Sequence, residues 1–199
     1  MARRSDHTRA QLEALIIAEG HRHMAQVGFA GFSSREVARQ IGYSVGTLFN
    51  VFGSYDRLIA AINTRTFELW TEWLQNRLAQ DPPDRLAALV EGYFSFAAEN
   101  THVWMAIYDH RLPPDVPLPE DYAERRGRLT ELVVTEIAAL LPAARQADAP
   151  RLARSLIATV HGHCTFALNG SFALMGEDDP LALAVQRVRE AVHGCGTDR

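Results

Sequence analysis

Residues 33–52 constrain this chain more than any other stretch. They read Ser-Ser-Arg-Glu-Val-Ala-Arg-Gln-Ile-Gly-Tyr-Ser-Val-Gly-Thr-Leu-Phe-Asn-Val-Phe. Val37, Ala38 and Ile41 lie at helical spacing and form the apolar face of a short helix. Ala38 is small enough for a second helix to cross close to it. Gly42 falls where the chain must reverse, a position that favours positive φ. Ser44 has a side-chain oxygen suited to cap the next helix, and Leu48 and Val51 return to the core at helical spacing. Two short helices joined by a tight turn satisfy this pattern. Such a pair serves either as a hairpin within an all-α core or as a helix-turn-helix whose second helix enters the DNA major groove.

The rest of the chain also reads as helix. Leu12, Leu15, Ile16, Ala18 and Met24 give residues 8–27 a helical period that Gly28 ends, and Phe29 and Phe32 are candidate core plugs. After the break at Gly53-Ser54, a long helix is expected over 55–79, with Leu58, Ile62, Leu69 and Trp73 on one side. Asp84 is placed to cap a helix over 84–99, and a short helix is expected over 102–110. Residues 112–119, Leu-Pro-Pro-Asp-Val-Pro-Leu-Pro, are too rich in proline for helix and form a loop. Further helices are expected over 120–141, 150–175 and 180–193, with Pro142, Gly176 and Gly194 at their ends. No segment alternates as a strand.

Composition narrows the class. With 199 residues, 47% of them hydrophobic and 22% charged, the chain can bury one or two substantial cores. It has no run of 18 apolar residues and no apolar leader at its start, so no membrane span is expected and a cytoplasmic location follows by default. Cys164 and Cys195 make no disulfide framework. The net charge of −4 is unevenly spread: residues 1–56 carry six arginines and five acids, whereas the remainder is acidic. That asymmetry suits a protein presenting one end to DNA. Arg3, Arg4 and Arg9 form either an arm that touches phosphate or minor groove, or a solvated tail. Phosphate-binding glycine loops, Gly-x-Ser-x-Gly and Cys-x-x-Cys are all absent. No catalytic residue, cofactor or metal is expected.

Residues 8–62 resemble the N-terminal domain of the TetR/AcrR family of bacterial transcriptional regulators. The resemblance rests on a long first helix ending at Gly28, then Phe29-Ala-Gly-Phe-Ser-Ser-Arg-Glu-Val-Ala, Ile41-Gly-Tyr-Ser-Val-Gly-Thr-Leu-Phe-Asn-Val-Phe and Asp56-Arg-Leu-Ile. It implies an all-α protein. An N-terminal three-helix helix-turn-helix head, residues 1–54, would bind double-stranded DNA at a near-palindromic operator. A C-terminal helical bundle, residues 55–199, would bind a small-molecule ligand and form a homodimer. The implied function is ligand-responsive regulation, as a repressor released by an inducer. The implied DNA surface is Ser34, Arg35, Tyr43, Ser44, Val45, Thr47, Phe49, Asn50 and Tyr55. By family position, Arg35 and Asn50 are the best base-edge readers. At the positions of Phe49 and Tyr55 the family commonly has Tyr and Lys contacting phosphates. Phe49 has no hydroxyl and Tyr55 no charge.

The body carries aromatic and polar residues at helical spacing. Its candidate ligand-binding residues are Trp70, Trp73, Tyr93, Phe94, His102, Met105, Tyr108, Asp109, Phe166 and Asn169. Inward-facing aromatics with a few polar groups line small-molecule cavities, though each taken alone reads more simply as core. His161, His163 and Cys164 superficially suggest a metal. On a helix, however, the two histidines point about 200° apart, which argues against a shared ion. Helix 150–175 looks apolar on two sides, as if packed on its own body and on a partner. Gly162, Ala167, Gly170 and Ser171 are small enough for close approach, and the resemblance implies a four-helix dimer interface with 180–193. Two other readings fit the residues: a helical-bundle enzyme or small-molecule binder without operator binding, and a dimeric interaction protein whose head no longer binds DNA.

Overall fold

The computed structural model of the chain describes residues 7–114, 116, 117 and 119–194, so Arg3, Arg4 and Cys195 lie outside the described residues. Ten α-helices and one 3₁₀ turn account for the fold, with no strand among the described residues. They are α1 (Arg9–Gly31), α2 (Ser34–Gln40), α3 (Val45–Phe52), α4 (Tyr55–Leu78), α5 (Arg85–Glu99), α6 (Thr101–Asp109), α7 (Glu120–Leu140), the 3₁₀ turn Ala143–Asp148, α8 (Ala149–Leu168), α9 (Ser171–Leu174) and α10 (Pro180–Gly194). The expected all-α class, with a three-helix head and a helical body, is what forms.

The chain divides into two compact units. One comprises residues up to Phe67 together with Asn100–Arg125. The other comprises Glu68–Glu99 together with residues from Arg126 onward.

In the first unit, α1 opens with a capping box: Thr8 accepts from the Gln11 backbone N–H, and the Gln11 side chain accepts from the Thr8 N–H. The regular helix is interrupted at Gly28, where φ is +70°. Leu12, Ile16, Met24, Val37, Leu48, Leu58 and Ile62 form the core of the unit. Gly20 lets α1 and α4 approach closely, because a Cβ there would lie 2.6 Å from Ile62 Cδ1. α6 joins the same unit: Asn63 Nδ2 donates to the Ala106 carbonyl (3.1 Å), and the His102 ring bonds the Ala25 carbonyl (2.9 Å).

The second unit packs α5, α8 and α10 around the end of α4 and the later part of α7. Asp84 caps α5 as expected, accepting from the Ala87 N–H at 2.8 Å. Gly92 lets α5 close on α4, since a Cβ there would lie 2.6 Å from Leu74 Cδ2. The helix expected over 150–175 is corrected. It breaks at Asn169-Gly170, where Gly170 is left-handed (φ +78°) and the Asn169 side chain accepts from the Ser171 N–H. Gly170 is therefore a helix terminator and does not belong to a packing face with Val160 and His163. The buried stripe of α8 is Ala149, Ala153, Leu156, Val160 and Cys164.

Candidate functional site

The helix-turn-helix is built from local chemistry. Ser33 caps α2 by accepting from the Glu36 N–H, while its own N–H donates to His23 Nε2. The Glu36 carboxylate accepts from the Arg39 guanidinium and from Gln40 Nε2, which holds its pKa down at about 2. Arg39 is thereby committed within its own helix. Gly42 takes φ +76°, and the Tyr43 N–H returns to the Ala38 carbonyl at 2.9 Å, closing the turn. Ser44 caps α3, accepting from the Thr47 N–H at 3.1 Å, and its hydroxyl pairs with that of Thr47 at 2.9 Å. Leu48 and Phe52 are buried, which fixes the opposite side of α3 outward. Gly53 ends the helix with φ +83°.

The expected DNA surface falls mostly on one side of this pair. Ser34, Arg35, Val45, Phe49 and Tyr55 border a shallow hollow of about 380 Å³ with Phe32 and Ser33. Ser44 and Asn50 are exposed on α3 and its cap, whereas Thr47 is half-buried and tied to Ser44. Arg35 is exposed and enters no ion pair among the described residues. Tyr55 is half covered and stacks obliquely near Phe32, and burial beside Asp56 raises its pKa. Tyr43 is half-buried, and its hydroxyl bonds the His7 ring at 2.8 Å.

Sequence reasoning missed one contact here. Arg9 Nη2 donates to the Val51 carbonyl in the last turn of α3 at 3.0 Å. Its signal was present, since Arg9 opens α1 and α3 has no basic residue in its last turn. His110 bonds Asp56 Oδ1 at 3.0 Å with its ring packed on Phe29.

The ten candidate ligand residues are divided between the two units. His102, Met105, Tyr108 and Asp109 belong to α6 in the first unit, where His102, Tyr108 and Asp109 are exposed and Met105 is half-buried. Phe166 and Asn169 are exposed near the end of α8. Trp70, Trp73, Tyr93 and Phe94 lie in the second unit. There Trp70 stacks on Phe96 (centroids 5.2 Å apart) and meets Tyr93 edge-on (4.6 Å).

The apolar cavity of the second unit is lined instead by α4, α5, α7, α8 and α10, and has a volume of about 40 Å³. Only Tyr93 of the ten borders it; its neighbours include Leu74, Leu89, Ile137, Leu156 and Val160. The Tyr93 hydroxyl bonds His161 Nδ1 at 3.0 Å, and burial lowers the pKa of His161. His163 turns the other way, bonding the Thr159 carbonyl with its ring near Phe172. Cys164 is buried, which pushes its thiol up to about 12.

Residues 16–62 match the bacterial regulatory proteins of the tetR family. Residues 86–194, more than half of the chain, match the tetracyclin repressor-like C-terminal domain. The chain belongs to the TetR family. It is a ligand-responsive, DNA-binding transcriptional regulator.

Solved structures share this TetR fold. A Rhodococcus protein of unknown function is 21% identical with a TM-score of 0.72, over 99% of this chain and 100% of its own. The multidrug binding protein EbrR, complexed with imidazole, is 19% identical with a TM-score of 0.62, over 94% and 96%. The transcriptional regulator FadR from Bacillus subtilis, in complex with stearoyl-CoA, is 15% identical with a TM-score of 0.58, over 91% and 98%. No curated protein matches the sequence. None of the helices searched among the described residues is long and apolar enough to cross a membrane.

Proposed function

We propose that this TetR-family regulator acts as a homodimeric repressor that grips a near-palindromic operator through α2 and α3 and is released by a small molecule bound in its body. In this reading residues 1–54 serve as the DNA-binding part and residues 55–199 as the sensing and dimerising part. The observation that carries it is the outer edge of α2 and α3. Arg35 and Asn50 stand exposed there on a helix pair whose opposite side is locked into a core by Leu48 and Phe52. Arginine donors suit guanine edges, and an asparagine amide suits adenine.

The homodimer is supported by the outward face of α8, where Ser155, Ala158 and Gly162 are exposed and small. The release step is supported by α4, one helix that begins beside the recognition helix and ends in the cavity-bearing unit. Two structural neighbours hold small molecules, imidazole and stearoyl-CoA. The reading takes from them the capacity to bind a small molecule, and neither ligand.

The test is fluorescence anisotropy of labelled promoter fragments, beginning with the region upstream of the gene itself. One fragment should bind far more tightly than a scrambled duplex. Arg35→Ala should relax specificity at one base pair and cost ~1–3 kcal/mol there. Equal affinity of the wild type for every fragment and for the scrambled duplex would sink the operator reading.

A further inference from the structure

Gly46 is the second residue of α3, and nothing in its own chain asks for a glycine there. A glycine weakens a helix relative to alanine, because it has more conformational freedom to lose on folding. Other glycines of this protein have an evident internal reason. Gly28, Gly42 and Gly53 take positive φ, and Gly20 and Gly92 stand where a Cβ would lie 2.6 Å from a neighbouring side chain. Gly46 has neither reason. Its φ is not positive, and beyond its chain neighbours a Cβ there would meet only Ser44 Oγ, at an ordinary contact distance of 3.6 Å. The protein by itself would accept alanine.

The direction of Gly46 supplies the reason. Successive residues of an α-helix lie about 100° apart. Leu48 and Phe52 mark the buried side of α3, and opposite their mean direction stand Gly46 and Asn50, both exposed and one turn apart. The major groove is about 12 Å wide, and a helix with its side chains is about 10–12 Å across, so the fit leaves little room. Resting on the reading of α2 and α3 as the operator-gripping pair, we infer that Gly46 is the point of closest approach between protein and DNA. Its missing side chain lets the first turn of α3 seat against the groove floor, at the depth from which Asn50 reaches a base edge. Gly46 is thus a positioning residue for base reading. A methyl group there holds the helix outward. Base-edge hydrogen bonds, which need about 2.7–3.2 Å, are then lost, while phosphate contacts at the groove walls persist.

Gly46→Ala, Gly46→Leu, Asn50→Ala and the double variant Gly46→Ala with Asn50→Ala test this in the full-length protein. Anisotropy is measured against the tightest-binding promoter fragment and a scrambled duplex, with thermal melts in parallel. Gly46→Ala should melt no lower than the wild type. It should bind the fragment about tenfold or more weakly, yet bind the scrambled duplex within about threefold of the wild type, because phosphate contacts carry non-specific binding. Gly46→Leu should weaken the fragment further. Asn50→Ala should cost fragment affinity in the wild-type background and clearly less in the Gly46→Ala background, where the amide no longer reaches its base.

The inference is overturned if Gly46→Ala melts clearly below the wild type, since the glycine would then serve its own chain. It is equally overturned if that variant binds the fragment normally, or weakens fragment and scrambled duplex by the same factor. Full additivity of Gly46→Ala and Asn50→Ala also overturns it, by separating Gly46 from the reading of that base edge. A wild type that prefers one fragment, with Gly46 variants that prefer it as strongly, refutes the positioning role and leaves the operator reading standing. A wild type that binds the scrambled duplex as tightly as every fragment refutes the operator reading, and the role of Gly46 falls with it.

Discussion

Phe49 concentrates what is particular to this DNA surface. It lies half-buried on α3, bordering the hollow shared with Arg35, Val45 and Tyr55. The family commonly offers a tyrosine hydroxyl there, and here the ring can only pack. Phosphate contacts position a protein on the duplex without reading its sequence, so the missing hydroxyl should lower affinity without altering preference. Phe49→Tyr is accordingly expected to tighten binding by a similar factor, about two- to tenfold, for operator and scrambled duplex alike. Anisotropy titrations of both duplexes check it. Weaker binding by a correctly folded variant would mean that the recognition helix lies on DNA at a different angle. The same residue shows what a sequence makes legible. Phe49 is placed on the DNA surface by the resemblance, and Leu48 and Val51 at helical spacing mark the inward side. Its half-burial at the hollow that Tyr55 and Phe32 also border depends on how the helices assemble, which no local pattern fixes.

Among the elements, α3 is held at both ends. Ser44 caps its start, and the Arg9 guanidinium reaches from the first turn of α1 to the Val51 carbonyl near its end. The second contact makes Arg9 a positioning residue for the recognition helix, complementing carbonyls that α3 leaves open. Arg9→Ala should weaken operator binding several-fold, by roughly 1 kcal/mol, and scrambled DNA less, with the salt slope unchanged. Arg9→Lys should recover part of the loss. A slope reduced by about one would instead assign Arg9 to a phosphate. Titrations at several salt concentrations separate the two outcomes. Elements defined by neighbouring residues were legible: the turn at Gly42, the caps at Ser44 and Asp84 and the stop at Gly53 each follow from side chains within a few positions. The break at Asn169-Gly170 was not. Phe172, Ala173 and Leu174 continue the apolar run past it, so periodicity alone carried the helix too far. The cavity was illegible for a related reason. Its walls come from five helices spread along the chain, and their leucines, valines and isoleucines read as core until the helices are assembled.

For the whole molecule, the proposed function depends on two heads at a fixed separation. A dimer must hold its recognition helices roughly 34–36 Å apart, or a multiple of that, to meet one face of B-DNA. The surface proposed for this is the side of α8 opposite its buried stripe, where Ser155, Ala158 and Gly162 lie exposed in register and Phe166 is 45% exposed. Gly162 gives an unusually clean test. A Cβ there meets nothing within 4 Å in the protomer. Replacing a helix-interior glycine with leucine should in itself favour the helix by up to about 1 kcal/mol. Gly162→Leu therefore leaves the isolated chain intact, and it obstructs only a helix from a second copy packed against that face. The expected variant is monomeric at micromolar concentration by light scattering, melts no lower than a dissociated wild type, and loses operator affinity by tenfold or more. A variant that remains dimeric and binds operator normally moves the interface to another face. A wild-type chain that is monomeric under the same conditions removes the dimer, and with it the operator geometry that requires two heads.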